Sequence, residues 1–271
     1  MSANAVLRGL LGFRRLDALA AGDSALHRMD ARAKVLVTLA FILAVMSFGR
    51  HAVAPLLAFF VFPIVAVTMA GLPLAFMLRK LAFVLPLALV IGLPNPLFDR
   101  EVLLQWGGIG ITGGWLSLLS IVLRALLAAA AAMALVAVTG FPALCHALGR
   151  LGVPQPLVVQ LLFLYRYLTV LAEEALRMTT ARDQRSGGQA LSMRQYGTLV
   201  GNLLLRTWGR AERVHLAMCA RGFDGRMPGG RSSRFGSPEW AWLAGWCAVF
   251  ALLRTQDVTK LLGSAAIGLV R

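Results

Sequence analysis

Acidic residues are the scarcest charged groups in this chain: twelve Asp and Glu stand against 27 Lys and Arg in 271 residues, and the twelve are spread along the sequence. No concentrated group of acids is available to hold magnesium for phosphoryl or phospholipid chemistry. Histidine is equally thin, with His27, His51, His146 and His215 dispersed and none read as paired with another ligand at metal-site spacing, so no metal is expected on this chain. The three cysteines, Cys145, Cys219 and Cys247, are scattered and odd in number, which supports neither a disulfide framework nor a metal knuckle. Cys145 and His146 are neighbours, but adjacent helical residues point about 100° apart, which argues against a nucleophile and base pair. There is no GxxxxGK[ST] phosphate loop, so any energy drawn from ATP must be released on another polypeptide.

Apolar residues fill the space these absences leave. The chain is 58% hydrophobic and 14% charged, outside the usage of soluble domains. The runs Val35 to Phe48, Ala52 to Ala70, Leu81 to Leu93 and Trp115 to Val138 approach or reach the roughly 20 residues that cross a hydrocarbon core of about 30 Å. A shorter run from Trp240 to Leu253 makes a fifth span, and Val258 to Val270 is too short to count. Pro94-Asn95-Pro96 is expected to stop the third span, and Asp99 to Gly114 to form a polar, glycine-rich outer loop. The alanine-rich stretch Ala125 to Ala134 would let a neighbouring helix approach closely. Arg124 lies inside this span, where a charge is costly unless it faces protein or water, and it is read as an internal structural contact rather than a transport residue.

The net charge of +15 is compatible with nucleic acid in principle, but the arginines flank or interrupt apolar segments. That is the pattern of cytoplasmic loops under the positive-inside rule, and no nucleic-acid partner is expected. Met1 to Asp30 carries arginines without a compact apolar core before a cleavage site, so the N-terminus is expected to stay inside. From Arg150 to Arg234 there are thirteen arginines against Glu173, Glu174, Asp183, Glu212 and Asp224. Keeping that excess inside requires Pro156 to Ala172 to lie at or near the interface, a depth that suits Tyr165, Arg166 and Tyr167.

From Leu191 to Arg221 a helical period is legible: Val200, Leu204, Trp208, Ala211, His215 and Met218 share one face. Arg206, Arg210, Arg213 and Arg221 gather on a neighbouring face, and Gly222 follows as a stop. Ala181-Arg182-Asp183 and Ala220-Arg221-Gly222 end the two basic helices. An arginine at a helix C-terminus is favoured by the dipole, and its planar fork can grip a partner's carboxylate.

Three stretches, DSALHRMDARAK from Asp23 to Lys34, VPQPLVVQLLFLYRYLTVLAEEALRM from Val153 to Met178 and AMCARGFDG from Ala217 to Gly225, resemble the transmembrane T component of energy-coupling factor transporters, in its cobalt-type CbiQ branch. The resemblance implies an all-α integral membrane protein with about five spans and a cytoplasmic module of amphipathic coupling helices. It also implies that two signature arginines dock into an ATPase dimer (CbiO-like) that carries ATP and Mg, while the membrane part holds a substrate-binding subunit (CbiM-like), with a small accessory subunit (CbiN-like) in some systems. This chain would bind no cofactor and catalyse nothing. The complex would import a divalent metal ion, cobalt foremost, for cobalamin biosynthesis, with nickel or a vitamin as alternatives, across a bacterial inner membrane. The second signature matches at Ala220, Arg221 and Gly222, whereas the first reads Ala181, Arg182 and Asp183 with Arg185 close behind, leaving Arg182 and Arg185 both open for the first coupling position. The implied organisation is residues 1–140 for the N-terminal segment and four spans, 141–238 for the interfacial and coupling helices, and 239–271 for the last span.

Overall fold

A chain in hydrocarbon must satisfy every backbone N–H and C=O from within, and its apolar runs therefore coil into helices. The computed structural model describes residues 18–50, 52–99, 102–106, 109–185, 187, 192–225 and 235–255. The N-terminal segment before residue 18, the run Val258 to Val270 and most of the loop Gly225 to Pro238 lie outside the described residues. The chain divides into two compact units, one formed by Leu19–Thr139 with Ser233–Arg271 and the other by Met1–Ala18 with Gly140–Ser232.

The first unit holds α1 (Ala25–Arg28), α2 (Ala31–Met46), α3 (Ala54–Ala58), α4 (Val61–Met69), α5 (Leu74–Gly92), α6 (Pro94–Phe98), the strands β1 (Val102–Trp106) and β2 (Ile109–Thr112), α7 (Gly113–Thr139) and α11 (Ser237–Thr255). Helix α5 stops at Gly92, just ahead of Pro94-Asn95-Pro96 as expected, and Pro94 then starts α6, because a proline in the first turn lacks only an N–H that would have no partner there. The presumed outer loop contains an antiparallel hairpin, β1 with β2. The run Ala52 to Ala70 is also broken, into α3 and α4.

Two segments of this unit, Met77–Pro96 and α7, are long and apolar enough to cross a membrane, with α3 and α4 forming a shorter apolar stretch. The core lies where α2, α4, α7 and α11 meet. Phe41 is fully buried, its ring centroid 4.7 Å from that of Phe62 and 5.5 Å from that of Phe250, while Trp246 packs edge-on to Phe62 at 4.9 Å. Leu127, Ala130, Ala131, Ala134 and Ala137 recur every three or four residues along α7 and are all buried, so the alanine stripe serves the close approach its small side chains permit. At the start of α7 the approach is closer still: a Cβ on Gly114 would stand 2.5 Å from the Cα of Pro96.

Charged groups finish both ends of α2. At its N-terminus Asp30 accepts from the Arg32 amide at 2.8 Å and pairs with the Arg32 guanidinium at 2.9 Å. Buried Glu239, in the first turn of α11, accepts from the amides of Asp30 at 3.4 Å and Gly236 at 2.9 Å. At the other end Arg124 of α7 donates to the carbonyls of Phe48 at 3.1 Å and Gly49 at 2.5 Å. Arg254 of α11 donates to the carbonyl of Ser47 at 3.1 Å, with its guanidinium 4.5 Å from the ring centroid of Phe48. Two cations thus take up carbonyls of the turn at residues 47–49 that follows α2, beside the negative end of its dipole. Arg124 is a structural contact, as its burden in hydrocarbon required.

Among its described residues the second unit holds α8 (Phe141–Arg150), α9 (Gln155–Arg185) and α10 (Met193–Ala220). Gly140, at φ 75, opens it in a conformation that disfavours any residue with a Cβ. The rings of Phe141 and Tyr165 stack at 4.7 Å, and Cys145, Ala147, Val158 and Val159 are buried. Length and composition qualify α9 for a membrane crossing as well, although Pro156 to Ala172 was expected at the interface. Because α9 is unbroken to Arg185, a crossing by its first 20 or so residues would carry Arg177, Arg182 and Arg185 to the far side.

Candidate coupling site

The two arginine-bearing helix ends belong to one hairpin of long helices. Ser192 caps α10 by accepting from the amide of Gln195, and Gln195 returns a bond to the amide of Ser192 at 3.2 Å, a reciprocal capping box. The same Gln195 oxygen accepts from Arg182 Nη2 at 2.9 Å, so the last turn of α9 is fastened to the first turn of α10. Arg182 also pairs with Asp183 at 3.2 Å, and its side chain is only 18% exposed. Arg185, the last residue of α9, is exposed.

Glu174 makes the second tie. Its carboxylate pairs with Arg206 of α10 at 2.8 Å and with Arg177, one turn along α9, at 3.5 Å. Between these ties lies a groove of about 650 Å³ whose lining includes Ala181, Arg182 and Arg185, together with Glu174, Arg177, Gln195, Asn202 and Arg206. Four arginines against one carboxylate give it a strongly positive character, suited to acidic groups on a partner.

At the far end of α10, Ala220 is the last helical residue and Arg221 the C-cap. Gly222 takes φ +77 and lets the amide of Phe223 donate back to the carbonyl of Met218 at 3.0 Å. This left-handed stop needs glycine, and it leaves Arg221 exposed at the helix tip. The apolar face of α10 differs from an ordinary core face. No residue of α10 is buried, and Val200, Leu204 and Trp208 are 63%, 65% and 73% exposed. The helical period read from the sequence is present, but nothing within the described residues covers it.

The family model described as cobalt transport protein, CbiQ, matches residues 22–229. The chain belongs to the CbiQ family. Among individual relatives, the cobalt transport protein CbiQ of Rhodobacter capsulatus is 36% identical over 86 residues, 31% of this chain and 35% of that protein. Two uncharacterised proteins of Methanocaldococcus jannaschii are also similar, one 32% identical over 80 residues and one 24% identical over 213 residues. The first match spans 29% of this chain and 30% of the relative, the second 74% and 72%. Among the described residues, three helices of this CbiQ-family chain are long and apolar enough to cross a membrane, as a membrane protein requires.

The structure brings Ala181, Arg182 and Arg185 together along one groove, and it places Ala220, Arg221 and Gly222 at the opposite end of α10. Gln195 and Glu174 were missed as members of the site. The Ser192-x-x-Gln195 spacing announces a cap, whereas the reach of Gln195 and Glu174 across the hairpin is a tertiary fact. Cys145 is buried, which pushes its thiol up from the ordinary range and removes the thiolate a nucleophile would need. His215 and Cys219, four residues apart, bring Nε2 and Sγ to 3.7 Å, a juxtaposition that the sequence reading overlooked. Among the described residues no group of three or more His, Cys, Asp or Glu is placed to hold a metal ion.

Proposed function

We propose that this chain is the coupling subunit of an energy-coupling factor importer for a divalent metal ion, cobalt foremost, in a bacterial inner membrane with the N-terminus inside. ATP and Mg would act on a partner ATPase dimer, and a separate membrane subunit would capture the metal. One observation carries the reading: α9 and α10 form a hairpin whose ends present Arg185 and Arg221 while its interior ties hold the two helices as one lever. Arg182, half-buried and bonded to Gln195, is assigned to holding the lever, and Arg185 to the outward contact. The uncovered apolar face at Val200, Leu204 and Trp208 offers a second surface for the membrane partner.

Arg221→Glu is expected to leave the chain folded and to remove most of its copurification with the ATPases, with uptake falling in parallel. Arg185→Glu should weaken copurification too, while Arg182→Gln should act first on the thermal stability of the hairpin. Normal assembly and uptake in Arg221→Glu would overturn the proposal. Orientation has its own test, because a cysteine at Ser232 or Ser233 labelled from the external face would put the lever on the wrong side. Reconstitution of the chain alone should give no cobalt or nickel flux, and flux without partners would point to a self-sufficient carrier.

A further inference from the structure

A second groove lies beside the coupling groove, between the middle of α9 and the C-terminal half of α10, with a volume of about 550 Å³. This is within the range of sites that hold small molecules, roughly 300–1,000 Å³. Its apolar floor is Tyr167, Leu171 and Leu205, and its basic rim is Arg206, Arg210 and Arg213. The three rim arginines are four and three residues apart, so a single helix face presents them. Arg206 is engaged by Glu174, whereas Arg210 and Arg213 are exposed and have no hydrogen bond or ion pair among the described residues. Thr207 spends its hydroxyl on the carbonyl of Leu203 at 2.6 Å and offers the groove no competing donor.

We infer that this groove holds an anionic phospholipid, with its headgroup phosphate between Arg210 and Arg213 and an acyl chain along Tyr167, Leu171 and Leu205. Charge complementarity selects the occupant: two unengaged guanidinium groups call for an anion, and the apolar floor calls for a hydrocarbon tail attached to it. A soluble anion would satisfy the rim alone. An amphipathic ring such as that of Tyr167 favours the boundary between headgroups and acyl chains, which would bring both parts of a lipid within reach. The inference concerns the chain by itself and does not depend on the coupling role.

The test uses the full chain, purified in detergent and stripped of lipid, then titrated with phosphatidylglycerol, phosphatidylcholine or inorganic phosphate and followed by native mass spectrometry. Phosphatidylglycerol is expected to bind at one per chain and more tightly than phosphatidylcholine. The double variant Arg210→Gln/Arg213→Gln should weaken it about thirtyfold. The control Arg166→Gln/Arg194→Gln removes the same charge outside the groove and should change binding less than about twofold. Leu205→Asn, at an exposed position that tolerates a polar side chain, should weaken the lipid and leave phosphate unaffected. Equal losses in the two double variants would overturn the inference in favour of general attraction to a basic surface. Phosphate binding as tight as the lipid would overturn it in favour of a simple anion site.

Discussion

In the unit built on Leu19–Thr139, Arg32, Arg124 and Arg254 turn to partners in their own chain: a carboxylate, two carbonyls of the α2 end, and a third carbonyl with an aromatic ring. In the Gly140–Ser232 unit, Arg185, Arg210, Arg213 and Arg221 stand exposed, and Trp208 and Leu205 stand exposed beside them. The same residue type closes one structure and opens the other. The difference follows from surroundings: Arg32 and Arg124 are partly buried among packed helices, where a guanidinium with no acceptor is costly, whereas one on an exposed helix face can wait for a partner. Exposed arginine with exposed tryptophan is a composition that protein interfaces favour.

The largest expected effect tests that contrast directly. Phe41→Ala, in the fully buried aromatic cluster, should cost about 3–5 kcal/mol of stability in detergent, seen as a lower unfolding midpoint. Trp208→Ala, which removes an even larger side chain from an exposed face, should stay within about 0.5 kcal/mol in the isolated chain. A Trp208→Ala loss comparable to that of Phe41→Ala would mean that the α10 face is packed within the chain, and the two units would no longer differ.

Arg124→Met should come next. It leaves the carbonyl of Phe48 without its side-chain donor and that of Gly49 with only the Ala52 amide, at about 1–3 kcal/mol. Arg210→Met, on the open side of the comparison, should cost nothing measurable in the isolated chain. Substrate uptake per assembled complex should survive Arg124→Met, since its guanidinium is occupied with backbone, and a selective loss of uptake at normal stability would make Arg124 a transport residue instead.

Much of this contrast was legible in the chain. The alanine stripe of α7, the Arg221 and Gly222 stop and the membrane class follow from periodicities of three and four, from glycine chemistry and from apolar length, all of which are local. What was not legible depended on distance. The sequence holds no sign that Arg124 would meet Phe48, or that Arg254 would cap the same helix end from the other side, because both contacts join residues far apart in the chain. Arg182 and Arg185 were equivalent as letters, and only the reach of Gln195 separates a fastened side chain from an exposed one. The Pro94 and Pro96 pair was legible as the stop of α5 but not as the start of α6, because proline ends one helix and begins another equally well.

A smaller, local effect is expected where the open unit depends on backbone geometry. Gly222→Ala forces a Cβ into φ +77 and should cost about 1 kcal/mol, confined to the end of α10. Hydrogen exchange should therefore speed up at the Gly222 and Phe223 amides and stay unchanged in α2. Global destabilisation instead would show that the helix tip is coupled to a core it does not touch.

The smallest effect belongs to the tie between Glu174 and Arg206, and it sharpens the comparison because it lies in the open unit yet joins two helices. The arginine is 66% exposed and the carboxylate 27%, so water screens the pair despite its 2.8 Å separation. A double-mutant cycle with Glu174→Gln and Arg206→Gln should give a coupling below about 1 kcal/mol that fades with added salt. The cycle has to separate Arg206 from Arg177, which shares the same carboxylate, so Arg177→Gln serves as the third arm. A coupling several times larger that resists salt would mean that the hairpin is locked as firmly as the closed unit. The arginines at its ends would then be presented by a rigid lever even before any partner arrives.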